Sequence, residues 1–229
     1  SLATKSQEVI EQAVKNMGYM RADVKLDKKI KKKKLKLNYQ ISTDKLYKIN
    51  HIAYHIDDFR IQEIIDKDSL NSQLYAGMPF NIVTLDAERQ RITKLLQEQG
   101  YYKFNKDFLV YQADTIRNTY KVDITMKLLP YQRKKEDIPT KHQAYKIRNI
   151  NFIEENNIIH YDNDLTIYDS IHHKGINVYY KDKLYLRPNT LAEFNYITPN
   201  SLYNQQEIQN TYESLGRLRA LKYTNIRFN

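Results

Sequence analysis

One eight-residue pattern occurs twice in this chain, 98 positions apart: Tyr47-Lys48-Ile49-Asn50-His51-Ile52-Ala53-Tyr54 and Tyr145-Lys146-Ile147-Arg148-Asn149-Ile150-Asn151-Phe152. Both read aromatic–Lys–Ile–x–x–Ile–x–aromatic. A repeat of this kind constrains the fold more than composition does, because each copy marks the same supersecondary unit. A second echo aligns Ile10, Ala13, Val14, Gly18 and Tyr19 with Ile92, Leu95, Leu96, Gly100 and Tyr101. A helix ending in Gly-Tyr is physically sensible. Glycine takes the left-handed position past the last turn, and the aromatic opens the next segment against the core.

Hydrophobic periodicity fills in the unit. Met20, Ala22, Val24 and Leu26 alternate with polar neighbours, as do Leu35, Leu37, Tyr39 and Ile41, and the run from Tyr120 through Val122, Ile124 and Met126 to Leu128. Period two with one wet face predicts strands of a sheet covered on one side. Helical stripes appear at Ile10, Ala13, Val14 and Met17, with Thr4 and Gln7 as a capping box. A second runs through Leu85, Ile92, Leu95 and Leu96, with Asp86 and Glu88 at the positive end of its helix. The third joins Ile208, Tyr212 and Leu215, with Asn204 as N-cap. Shorter helices are expected near 59–66 and 189–197. Each unit then reads strand, short helix, longer helix, strand, strand: an α+β class, with a three-stranded mixed sheet under two helices.

The units are unequal. Residues 44–131 are a complete one, and 1–43 hold only the longer helix and two strands. Residues 143–229 have a strand at 145–153, two helices and a strand at 220–228, without a closing strand. Their insertion, 157–187, is expected to form a small hairpin of 176–180 with 184–186 about Lys181-Asp182-Lys183. The chain reads as a stretch of a tandem array.

Composition excludes several chemistries. There is no cysteine, so disulfide scaffolds, thiol catalysis and Cys-based zinc sites are out. The glycines at 18, 77, 100, 175 and 216 never cluster into a phosphate-binding loop. No apolar run approaches the ~20 residues of a spanning helix. The formal charge is +10, and its one dense cluster is Lys28, Lys29, Lys31, Lys32, Lys33 and Lys34, bounded by strand-like sequence. The cluster reads as a solvated turn between two strands; nucleic acid, anionic lipid and an acidic partner are the alternatives.

Catalytic and metal signals are weak. His51 and His55 lie on a strand without the Glu of a zincin motif. His172-His173 reads as loop. Asp162-Asn163-Asp164 lacks both the glycine and the bidentate Glu of a calcium loop. Asp57-Asp58 and Glu154-Glu155 follow strand ends, where carboxylates cap helices. No metal, cofactor or enzymatic activity is expected. The Lys–Tyr pairs could stack single-stranded nucleic acid, but their placement at strand starts and alternate positions favours packing at core edges.

The repeated order, the run from Leu85 to Ile92 ending in Gly100-Tyr101-Tyr102, and Val122-Asp123-Ile124 resemble POTRA domains. These are the periplasmic modules of the BamA and TamA family of outer-membrane assembly proteins. The stretch from Ser201-Leu202-Tyr203-Asn204 to Ile226 is similar to the Bacteroidetes branch. The resemblance implies a signal peptide ahead of this stretch and a C-terminal β-barrel beyond it. It also implies a location on the periplasmic face of the outer membrane, with unfolded outer-membrane proteins and periplasmic or lipoprotein accessory factors as partners and no nucleic acid. A TamA-like or two-partner secretion transporter is the alternative within the family; a basic nucleic-acid-binding protein is the alternative outside it. In the family the second strand is an edge open to β-augmentation. The matching residues here are Phe108, Leu109, Val110 and Tyr111, and Val110→Pro is expected to weaken peptide binding and leave the fold intact.

Overall fold

The computed structural model describes residues 1–31, 34–132, 136–154 and 168–228, and it divides into two compact units. The first comprises Ser1–Thr93 with Asn105–Lys141; the second comprises Lys94–Phe104 with His142–Asn229. No helix among the described residues is long and apolar enough to cross a membrane.

The first unit opens with helix α1 (Leu2–Asn16) and a hairpin of β1 (Asp23–Lys31) and β2 (Lys34–Ser42). The N-cap of α1 is Ser1, whose Oγ accepts from the Thr4 amide. Thr4 and Gln7 do not form the expected capping box. Gln7 reaches instead to the Val24 carbonyl at 2.6 Å, tying helix to hairpin. Then follow β3 (Lys48–His55), α2 (Phe59–Lys67), α3 (Ile82–Glu98), β4 (Leu109–Thr115) and β5 (Lys121–Leu128). The sheet order is β3-β5-β4, with β3 parallel and β4 antiparallel to the central β5. This is the strand, helix, helix, strand, strand order read from the sequence.

The two x positions of the repeated pattern have a structural meaning. The β3–β5 register shifts between Ile49 and His51. This bulge lets Ile49 and Ile52, three residues apart, face the same core that strict alternation would deny to one of them. Tyr47, Ile49, Val122 and Ile124 pack with Leu74, Met78, Phe80 and Leu85 in one cluster. Met126 and Leu109 are likewise sealed from solvent. Each such aliphatic side chain contributes about 1.5–3 kcal/mol on burial.

The second unit holds β6 (Asn151–Ile153), β7 (Asp169–His173), β8 (Ile176–Tyr180), α4 (Pro188–Glu193) and α5 (Gln205–Gly216), with sheet order β6-β8-β7. It also has a three-stranded mixed sheet and two helices, but the hairpin precedes the helices in the chain. Several expectations change here. The hairpin turns at Lys174-Gly175, where both residues have positive φ (47° and 82°), as a tight two-residue turn demands. Residues 184–186 form no strand; two amides there donate to the Glu154 carboxylate instead. Residues 220–228 have no ladder partner among the described residues and are not a strand. Only 151–153 of the expected 145–153 strand is regular. His172 and His173 lie in β7 rather than in a loop. Residues 157–167 of the expected insertion, with Asp162-Asn163-Asp164, lie outside the described residues, as does Glu155.

One hydrogen-bond relay recurs in both units. The Gly18 carbonyl accepts from Tyr47 N–H at 2.9 Å, and the Tyr47 carbonyl accepts from Phe80 at 2.9 Å. Gly100, Tyr145 and Tyr203 repeat this at 2.8 and 2.8 Å. Gly18 has φ +101°, and a Cβ there would lie 2.7 Å from the Phe80 carbonyl oxygen. Gly77 also has positive φ, but open space surrounds it. Gly18→Ala is therefore expected to lower the urea midpoint by more than Gly77→Ala. The first adds a backbone clash to the ~1–2 kcal/mol left-handed cost, which the second bears alone. Equal midpoints would mean that the Gly18 turn relaxes freely.

Candidate functional site

The start of β4 is built from below by α3. Residues Lys106–Phe108 form one 3-10 turn, capped by the Asn105 side chain, which accepts from Asp107 N–H at 2.8 Å. Arg89 donates from Nε and Nη2 to the Lys106 carbonyl at 3.1 and 2.8 Å. The Lys106 ammonium sits on Asp86 at 2.9 Å. That hydrogen bond, followed by one from Gln90, holds the Asp86 carboxyl below the usual carboxylate range.

The ladder bonds decide which face of the β4 backbone is open. Leu129 N–H donates to Phe108 C=O at one end, and Ile116 N–H to Lys121 C=O at the other. In an antiparallel pair the hydrogen-bonded residues alternate. With the register Val110↔Lys127 and Gln112↔Thr125, even-numbered residues face β5 and odd-numbered ones face outward. The N–H and C=O groups of Tyr111, Ala113 and Thr115 thus point off the sheet, with no hydrogen bond among the described residues. Leu109 N–H is taken by Lys106 C=O.

This geometry sorts the four sequence-derived residues. Phe108 belongs to the turn, its carbonyl is used by Leu129, and its ring packs on Tyr131 at 5.9 Å. The Leu109 side chain is sealed in the core. Val110 turns its N–H to β5, so proline there would break a bond of the sheet itself. Ala113 is a position at which proline removes only an outward donor, which an edge strand tolerates. Tyr111 offers its backbone to the edge while its ring packs on the core.

Below this edge lies a buried polar cluster invisible to pattern reading. Glu88, expected at the helix N-terminus, lies further along α3, which starts at Ile82, and is fully buried. Arg91 binds it through Nε at 2.9 Å and Nη2 at 2.8 Å, and the Gln73 amide donates to it at 2.9 Å. Arg91 also pairs with Asp68. The Tyr111 hydroxyl is buried without a partner among the described residues, and burial raises its pKa. Burial also raises that of Tyr54, which pairs with Ser72 at 3.4 Å. Tyr54 and Tyr111 flank Met126 from either side.

The opposite edge of the sheet is covered over its first half. Ile49 N–H donates to Met78 C=O at 2.9 Å, Gly77 N–H donates to Ile49 C=O at 2.7 Å, and Phe80 covers Tyr47. The second unit repeats the arrangement with Ile147, Ser201 and Asn200. The sequence carried this signal unread: Gly77-Met78-Pro79-Phe80-Asn81 parallels Asn200-Ser201-Leu202-Tyr203-Asn204. Each begins with a positive-φ residue and ends in an Asn that caps the following helix.

Other candidates disperse. Lys28, Lys29 and Lys31 lie within β1 and Lys34 within β2, all exposed, so the strands continue into what read as a turn. Lys32 and Lys33 lie outside the described residues. His51 and His55 are exposed on β3, with His55 3.4 Å from Asp57. Asp58 caps α2. Across the ladder Asp114 stands opposite Asp123, on the sheet face away from the helices. Among the described residues no group of three or more His, Asp or Glu side chains could hold a metal ion.

No protein-family profile and no curated protein matches this chain. Solved structures do. The crystal structure of POTRA domains 3–5 of BamA from Haemophilus influenzae aligns over 96% of this chain and 70% of that one, at 13% identity and TM-score 0.50. POTRA domains 1–3 of the periplasmic domain of Omp85 from Anabaena align over 93% and 70%, at 12% identity and TM-score 0.31. The N-terminal domain of Omp85 from Thermosynechococcus elongatus aligns over 93% and 72%, at 11% identity and TM-score 0.28. The BamA likeness shows the fold: mixed three-stranded sheets with paired helices, as in POTRA domains.

Proposed function

We propose that this chain is the periplasmic POTRA region of an outer-membrane β-barrel assembly protein, and that it receives unfolded barrel precursors by β-augmentation at β4. The supporting observation is the asymmetry of the middle sheet. Tyr111, Ala113 and Thr115 offer outward backbone groups along β4, while segment 77–80 already occupies the Tyr47–Ile49 part of the other edge. Main-chain pairing accepts many sequences, which suits a module handling diverse clients. Three outward residues offer at most six groups, each with a net value of about 1 kcal/mol. After ordering costs the affinity falls in the ~0.1–1 mM range, weak enough to release a client. Accessory proteins of the same location are partners under this reading, as is a barrel carried by the same polypeptide.

The test uses isotopically labelled chain and a peptide of about ten residues alternating apolar and polar, like a barrel strand. Titration should shift the Tyr111, Ala113 and Thr115 amide resonances and slow their exchange. Shifts confined to other strands, or none, would overturn the reading.

A further inference from the structure

The first residues of β3 and β5 form a like-charge pair that nothing around them neutralises. Lys48 and Lys121 stand directly opposite one another in the parallel ladder, and both are exposed. Neighbouring strands lie about 4.8 Å apart, so two ammoniums held there repel and weaken the sheet. Among the described residues neither side chain has a hydrogen-bond or ion-pair partner. Two carboxylates of this region are engaged elsewhere. Asp44 accepts from the Tyr120 hydroxyl at 3.1 Å and from Lys45 N–H at 2.7 Å, and Arg21 pairs with it at 3.6 Å. Asp123 accepts from Asn50 Nδ2 at 2.8 Å.

Beside the pair lies a surface cavity of about 500 Å³, a volume typical of small-ligand sites. Both lysines line it, together with Leu46, Ile49 and Tyr120. Three local features shape it. Asn50, the extra residue of the β3 bulge, is part of its lining, and bulges re-aim side chains beside binding sites. Ala76 and Gly77 supply a wall of minimal bulk, and a Cβ built on Gly77 meets nothing within 4 Å. The Tyr120 ring is held edge-on to Tyr47 at 5.4 Å, with the cations of Arg21 and Lys45 at 5.7 and 5.5 Å from its centroid. The cavity therefore joins an apolar and aromatic wall to two uncompensated positive charges, all within the first unit.

We infer that this cavity binds an amphiphilic phosphate, a phosphomonoester carried on an alkyl or aryl body. The head group lies between the Lys48 and Lys121 ammoniums, and the apolar body lies against Leu46, Ile49 and Tyr120. A phosphomonoester carries roughly −1.5 to −2 charges at pH 7, which balances two ammoniums where a carboxylate would balance one. Lysine meets such a head as a point charge with three rotatable donors, without the planar fork that arginine offers a carboxylate. Binding turns the repulsion between the lysines into a shared attraction. The site is separate from the β4 edge, and the inference stands whether or not β4 pairs with peptides.

The experiment titrates octyl phosphate, below its micelle concentration, into isotopically labelled chain. The Ala76, Gly77, Thr119 and Lys121 amide resonances, all from the cavity lining, should shift together and saturate. Inorganic phosphate and 1-octanol each hold half of the chemistry and should bind at least about tenfold more weakly. Lys48→Gln and Lys121→Gln should each weaken octyl phosphate about tenfold. Their thermal midpoints should hold or rise, because the opposed charges are gone, so lost binding is not lost folding. Ala76→Phe fills the cavity from an exposed position and should weaken binding with both lysines present. Lys127→Gln removes the same charge from the far end of β5, where Lys127 donates to Gln112, and should leave affinity unchanged. Competition by vesicles containing phosphatidic acid would make a bilayer the source of the head group, and its absence a free amphiphile; either upholds the site. Equal affinity for inorganic phosphate would reduce the site to an ion contact and overturn the inference. Equal affinity for octanol, or no saturable shift at these amides, would overturn it as well.

Discussion

Ala113→Pro should lower affinity for a strand-forming peptide by about tenfold, while the thermal midpoint moves by no more than a few degrees. The proline removes one outward N–H, and its ring obstructs the bond beside it, a loss of about 1–2 kcal/mol. At 1.4 kcal/mol per decade this is about a factor of ten. The internal ladder is spared, because Gln112 and Asp114 make the bonds to β5 on either side. Val110→Pro should do the reverse, unfolding the sheet by removing an inward donor. Anisotropy of a labelled peptide measures the first effect and circular dichroism the second. If both variants bind and melt alike, β4 is not the receiving edge.

Arg91→Met should cost about 3–5 kcal/mol in urea denaturation, among the largest single-residue effects in the chain. It removes the guanidinium from the fully buried Glu88 carboxyl, to which the Gln73 amide still donates. It also frees Asp68, at the start of the segment that leads to residues 77–80. The double variant Glu88→Leu with Arg91→Met should recover at least half of the loss, since an apolar pair of similar volume leaves no buried polar group without its partner. Failure of the double variant to recover would mean that the ion pair contributes through geometry rather than by mutual neutralisation.

The repeat and the period-two runs made most of the middle unit legible before any coordinates. Alternation at Val122, Ile124 and Met126 identified the buried face of β5, and Gly18 and Gly100 located the helix ends. What escaped was set by long-range pairing. Residues 220–228 read as a strand, with Leu221, Tyr223, Ile226 and Phe228 set among polar residues, but a local run cannot supply a ladder partner. Val110 read as an edge residue, yet the direction of its N–H depends on register with Lys127, which no local pattern contains. Glu88 read as a helix-terminal charge because nothing in its neighbours announces Arg91 and the Gln73 amide converging on it. The turn at Lys174-Gly175 was legible in principle, since glycine marks it, but the lysine–aspartate stretch after β8 competed for the assignment.

The Asp114–Asp123 pair bears on self-recognition. Like charges directly opposite one another weaken a sheet, so their presence costs the domain some stability. A second copy docking its own β4 antiparallel onto this edge would bring another Asp114 into the same acidic neighbourhood. A client strand with neutral or basic residues there meets attraction instead. Under the proposed reading the edge is open to strangers and guarded against its twin, so that identical molecules would not zip together along it.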